Sequence, residues 1–179
     1  MIISKKVIFG ILIALILIPI GWFILYFLAV EHEETKFYNI EIPKRLNFPK
    51  PIEFLTNQQI DSLKKLIISE EKIVVVGDGY NGYSFYMWHK PIEKGEIYIK
   101  AFELTQEVRL SEWNLSNKTK NKILKLNDNY KLYEGHTVIS EGTFEHYYPT
   151  RFELWFKPFN SGNEKKLTEQ NYIIDGWDR

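Results

Sequence analysis

The feature that most constrains this chain is an uninterrupted apolar run from Val7 to Val30, preceded by Lys5 and Lys6 and followed by Glu31, Glu33 and Glu34. Its 24 residues reach about 36 Å as a helix, enough to cross a hydrocarbon core of about 30 Å with some tilt. The run predicts a transmembrane helix. Pro19 and Gly21 fall inside it, where a spanning helix tolerates both and kinks near Ile18. Trp22, Tyr26 and Phe27 load its second half with aromatics of the kind that anchor at an interface.

A cleaved secretory signal shares the charged start, but its apolar region is about 7–15 residues and ends in a small-x-small site. No such site precedes Glu31, so the reading is an uncleaved signal anchor. The lysines before the run and the glutamates after it keep residues 1–6 cytoplasmic and send the rest outside. The expected location is the cell membrane, single-pass, with bilayer contact through Val7 to Val30 and an extracytoplasmic C-terminal domain.

Beyond the run the chain is long enough for one core. Lys+Arg and Asp+Glu both number 23 and are interspersed, so no basic face of the kind that neutralises phosphates is expected, and nucleic acid is not an expected partner. The chain has no cysteine, which excludes disulfides, thiol catalysis and cysteine-ligated zinc.

Pro43, Pro49 and Pro51 mark residues 31–55 as an extended spacer, and residues 56–179 form the domain. Thr56 with Gln59 makes a capping box for one main helix from Asn57 to Ile68, with Ile60, Leu63, Leu66 and Ile67 on one face. From Lys72 the period becomes two, with β-branched and aromatic residues. Strands are expected at Ile73–Val76, Tyr83–Trp88, Glu96–Leu104, Tyr130–Tyr133, Thr137–Ser140, Arg151–Lys157 and Leu167–Ile174. Ser111–Lys122 reads as a polar excursion with one helical turn. In Arg151–Lys157, Phe152, Leu154 and Phe156 share one face and Arg151, Glu153, Trp155 and Lys157 the other. The expected fold is an N-terminal transmembrane helix plus a mainly-β (α+β) domain, an antiparallel sandwich or partial barrel.

Gly77-Asp78-Gly79-Tyr80-Asn81-Gly82 matches G-x-G-x-x-G literally. A dinucleotide site needs a helix to open inside the motif, whereas Tyr83–Trp88 is strand-like, so the segment reads as a hairpin turn. Glu134, His136, Glu141, Glu145 and His146 are the densest set of candidate acid–base or metal-ligating groups, without a dedicated spacing such as H-E-x-x-H. His89 and His32 stand alone. Ser84 and Ser140 lack a nucleophile motif. No catalytic residue, cofactor or metal is assigned. Tyr147, Tyr148 and Arg151 are the candidate interaction residues, since exposed Tyr and Arg anchor interfaces.

The stretches "EIYIKAFELTQEVRLS", "EGTFEHYYPTRFELWFKP" and "KKLTEQNYIIDGW" resemble a group of small, uncharacterised bacterial membrane-anchored envelope proteins. Their C-terminal halves share an E-G-x4-Y-x3-R-F-E-x-W-F pattern and a closing I-x-G-W. Glu141, Gly142, Tyr147, Arg151, Phe152, Glu153, Trp155, Phe156, Gly176 and Trp177 fit. The resemblance covers about half the chain and implies a defined domain, with no activity, ligand or site attached. The leading expectation is a noncatalytic binding or accessory envelope protein that contacts a protein or cell-surface component. The alternatives are an exported hydrolase-type or metal-dependent enzyme using His136, Glu141, Glu145 and His146, and an immunity-type protein.

Overall fold

The computed structural model describes the backbone of residues 5–38 and 40–177 and the side chains of residues 15–28, 36–38 and 40–177. Helix α1 spans Lys5–Tyr38 with Pro19 inside it. Among the described residues, no helix is long and apolar enough to cross a membrane. This corrects the expected transmembrane anchor over Val7 to Val30, and with it the single-pass location and the orientation argued from its flanks. The flanking Glu31, Glu33 and Glu34 and His32 have side chains outside the described residues. The helix also continues to Tyr38, so the spacer expected from residue 31 is helical at its start. Phe37 is buried against Tyr148, with ring centroids 5.0 Å apart, which docks the end of α1 on the domain.

The domain is two packed sheets. The first contains β1 (Ile52–Glu53), β2 (Lys72–Gly77), β3 (Tyr83–His89) and β7 (Lys131–Thr137) in the order β1-β2-β3-β7. The second runs β5 (Val108–Leu110), β4 (Gly95–Glu103), β8 (Tyr148–Pro158) and β9 (Lys165–Ile174), with β6 (Asn121–Ile123) also on β4. Every pairing is antiparallel except β1 with β2, which is parallel.

Alternation puts Ile73, Val75, Phe85 and Met87 of the first sheet against Ile97, Ile99, Ala101, Phe152, Leu154 and Phe156 of the second in one buried cluster. Phe85 and Phe152 meet across it at 5.5 Å. The outer face of the first sheet offers Val76, Tyr86 and Trp88, and these are covered by Leu55, Ile60, Leu63 and Ile68. Ile60 and Leu63 belong to α2 (Asn57–Lys64), whose capping box is complete: Gln59 N donates to Thr56 Oγ1 and Thr56 N donates to Gln59 Oε1. The helix stops four residues short of the expected Ile68.

Tyr130–Tyr133 and Thr137–Ser140 are not separate strands; one strand, β7, replaces them, held by seven register partners on β3. The polar excursion holds α3 (Glu112–Lys118). It lies between β5 and β6, where Thr119 Oγ1 accepts from Ile99 N at 2.8 Å and donates to Leu115 O at 2.6 Å. A side chain thus closes the stretch of β4 edge that neither short strand pairs.

Candidate functional site

The β2–β3 hairpin turn is the six-residue Gly-rich segment, and it holds a 3-10 turn over Gly79–Asn81 instead of the helix a dinucleotide site requires. Asp78 N donates to Gly82 O at 2.8 Å, closing the turn. Phe54, just after β1, donates its N–H to Gly77 O at 3.0 Å and sits at φ 53. A bulky side chain at positive φ is an outlier that costs about 1–3 kcal/mol and persists only where neighbours enforce it. Gly79 leaves the room the ring needs: a Cβ there would lie 2.6 Å from the Phe54 ring, and its own φ of +56 suits glycine. The Phe54 ring is held over the turn and is 68% exposed.

Tyr80, at the tip of the turn, is 77% exposed and packs edge-on against Phe144 at 4.9 Å. Phe144 in turn meets Trp177 at 6.2 Å, and the Trp177 indole N–H donates to Tyr80 O. On the other side of the turn Phe54 lines an open cleft of ≈ 540 Å³ with Leu55, Asp78, Asn81 and His136. Ser84 Oγ donates to Asp78 Oδ2, and His136 Nε2 lies 3.5 Å from the same oxygen. The order is serine, carboxylate, imidazole. A serine nucleophile needs the imidazole in the middle, so this trio does not form a proton relay to Ser84. A second hollow of ≈ 410 Å³ shares His136 and contains Glu134, which is paired with Lys64 at 2.8 Å.

The other expected site residues lie apart from this cleft, and their side chains do not converge. Both Glu141 carboxylate oxygens accept from Ser111, from N at 2.8 Å and Oγ at 2.6 Å. Ser111 sits at φ 39, and this grip explains how a non-glycine residue is kept there. Glu145 and His146 are exposed. Glu145 N donates to Asp175 Oδ2 at 3.0 Å, while the His146 ring packs on Tyr38 at 4.6 Å. His136 alone of the enzyme set reaches the cleft, so His136, Glu141, Glu145 and His146 do not assemble. Among the described residues, no group of three or more His, Cys, Asp or Glu side chains is placed to hold a metal ion.

Tyr147, Tyr148 and Arg151 do not form one contact surface either. Tyr148 is fully buried, Tyr147 lies under Lys50 Nζ at 3.1 Å, and Arg151 sits on the outer face of the second sheet. There it bonds Glu153 at 2.9 Å and Glu107 at 3.1 Å. Glu153 is buried and also accepts from Trp155 Nε1 at 2.8 Å and Lys166 Nζ at 3.3 Å. Nearby, Glu164 accepts from Lys100 and Tyr98, which holds its carboxyl below the usual range. Burial raises the Tyr98 phenol, with Glu164 adding to it.

Buried phenols hold the core corner. Tyr83 OH donates to Asp175 Oδ1 at 2.8 Å, and burial, reinforced by that carboxylate, pushes its pKa well above the ordinary value. The Phe54 and Tyr80 pair was not singled out from sequence. The available signal was Tyr80 between two turn dipeptides, Asp78-Gly79 and Asn81-Gly82, a position that places a large ring in solvent. Comparison with known families, curated proteins and solved structures yields no match for this chain.

Proposed function

We propose that the β-rich domain is a noncatalytic binding module that engages a protein or cell-surface component through the aromatic end formed by Phe54 and Tyr80. The observation that carries this reading is the strained, exposed Phe54 ring seated over Gly79 at the mouth of the cleft. Strain retained at an exposed aromatic has no use in packing and is of the kind found at ligand-contacting positions. The acid–base groups support the same reading, because Glu141 is occupied by Ser111 and Asp78 stands between Ser84 and His136.

The test is complementation of a deletion strain. The Phe54→Ala/Tyr80→Ala double variant should fail to restore function at normal abundance, while Glu145→Gln/His146→Ala should restore it fully. Loss with the second pair and rescue by the first would replace this reading with an enzymatic one.

A further inference from the structure

We infer that the end of the sandwich opposite α1 docks on an anionic lipid surface, with Ile92, Leu124, Leu126 and Phe159 entering the headgroup–acyl boundary and lysines around them meeting the headgroups. This contact is separate from the Phe54 and Tyr80 end. β8 runs from Tyr148, which packs on Phe37 of α1, to Pro158, 11 residues and about 33 Å of strand. Three loops meet at that far end. Gly95, which opens β4, pairs with Ile123 on one side and with Pro158 on the other. Asn127 N donates to Pro91 O at 3.0 Å, and Phe159 N donates to Lys94 O at 3.1 Å. The loops so joined present four apolar side chains that the core does not take: Ile92 and Leu124 are each 62% exposed, Leu126 55% and Phe159 47%. Single exposed apolar side chains are ordinary, whereas four on joined loops make a patch that marks a contact.

The charge around the patch identifies the partner. Residues 90–94, 122–128 and 157–163 hold Lys90, Lys94, Lys122, Lys125 and Lys157 against Glu93 and Asp128, and each exposed apolar residue has a lysine within two positions. Lys90, Lys94, Lys122 and Lys125 enter no ion pair among the described residues, so their charge is free to act outward. A second copy of the same face would set these lysines against one another, which opposes self-association. Protein interfaces are poor in lysine and are anchored by Trp, Tyr and Arg, none of which the three segments contain. Leu, Ile and Phe beside Lys is instead the composition of an interfacial lipid contact: the apolar groups leave water at the acyl boundary while the ammonium groups are drawn to anionic headgroups.

α1 carries exposed apolar side chains of its own between Leu15 and Leu28, so the measurement must report on the loops and not on the whole chain. The sequence has no cysteine, and Leu126→Cys in the full chain therefore carries a single polarity-sensitive fluorophore. Vesicles of phosphatidylcholine with phosphatidylglycerol should shift its emission to the blue and let doxyl-labelled lipid quench it; phosphatidylcholine alone should do neither. The same label on Gln170→Cys, exposed and paired with Phe152 in the middle of β8, should stay in water with both. Raising NaCl from about 0.1 M to about 1 M, which shortens the screening length from about 10 Å to about 3 Å, should reverse the shift at position 126. Lys94→Glu/Lys125→Glu and Ile92→Ser/Phe159→Ser should each weaken vesicle binding of the label at least about tenfold, with unchanged melting temperature. The inference is overturned if the label at 126 stays in water with anionic vesicles, if neutral vesicles shift it equally, or if the lysine variant binds as before. A label that becomes shielded without lipid as chain concentration rises would assign the face to a second copy, and crosslinking of position 126 to another protein in cells without any shift on vesicles would assign it to a protein partner. Either result also overturns the lipid assignment.

Discussion

The Tyr148 phenol donates a 2.7 Å hydrogen bond to the backbone carbonyl of Glu141, whose carboxylate grips Ser111 from N and Oγ. The two residues tie the entry of β8 to the turn before α3, and Phe37 packs on the same phenol. Tyr148→Phe keeps the ring and removes only the donor. It should cost about 1–3 kcal/mol, the penalty for an orphaned buried acceptor, read as a lower denaturant midpoint with an unchanged slope.

Gly176 approaches this corner more closely than any side chain could. A Cβ there would lie 1.7 Å from the Glu141 carbonyl oxygen and 2.4 Å from that of Gly142. Gly176→Ala should therefore destabilise by at least the about 1–3 kcal/mol of ordinary overpacking. Gly162→Ala, with open space around it, should leave the melting temperature unchanged.

Phe152 and Phe156 fill the space between the sheets and are 0% and 1% exposed. Truncating either to Ala should cost about 3–5 kcal/mol, a large part of a small domain's stability, and lower abundance and melting temperature together. Glu145→Ala and His146→Ala replace exposed side chains and should stay within about 0.5 kcal/mol. Equal losses across the four variants would contradict the packing described.

How much was legible in sequence follows from where the information sits. Alternation in Arg151–Lys157 assigns Phe152, Leu154 and Phe156 to the core because each strand has one face buried. The Thr56–Gln59 box announces α2 because both halves of the cap lie within three residues. What was not legible depends on distant partners. β1 exists only through its parallel pairing with β2, and β5 and β6 only through the two ends of β4. Tyr148 reads as an exposed anchor until α1 and the Glu141 corner close over it. Phe54 looks like part of a spacer, because the glycine that leaves room for its ring lies 25 positions further on, at residue 79.

Alkaline pH should destabilise the domain through its buried phenols. Burial first, followed by Asp175 at Tyr83 and by the Tyr83 phenol and Glu141 at Tyr148, raises both above the ordinary value of 10.0. Above that pH the unfolded chain releases their protons while the folded chain retains them, so the contribution is complete below 10.0 and shrinks as pH rises. The urea midpoint should fall above pH 10.0, and Tyr83→Phe should flatten the fall. A midpoint that rises over this range would show the sign to be wrong.

Occupancy of the Phe54 and Tyr80 end is tested most directly by hydroxyl-radical footprinting of the chain in intact cells and after purification. Tyr80 is 77% exposed and Trp113 69%, so both should oxidise readily in the purified chain. In cells, Tyr80 and Phe54 should be protected while Trp113 is oxidised as before. Equal oxidation of Tyr80 in both samples, with protection appearing instead at Glu145 or His146, would contradict the claim.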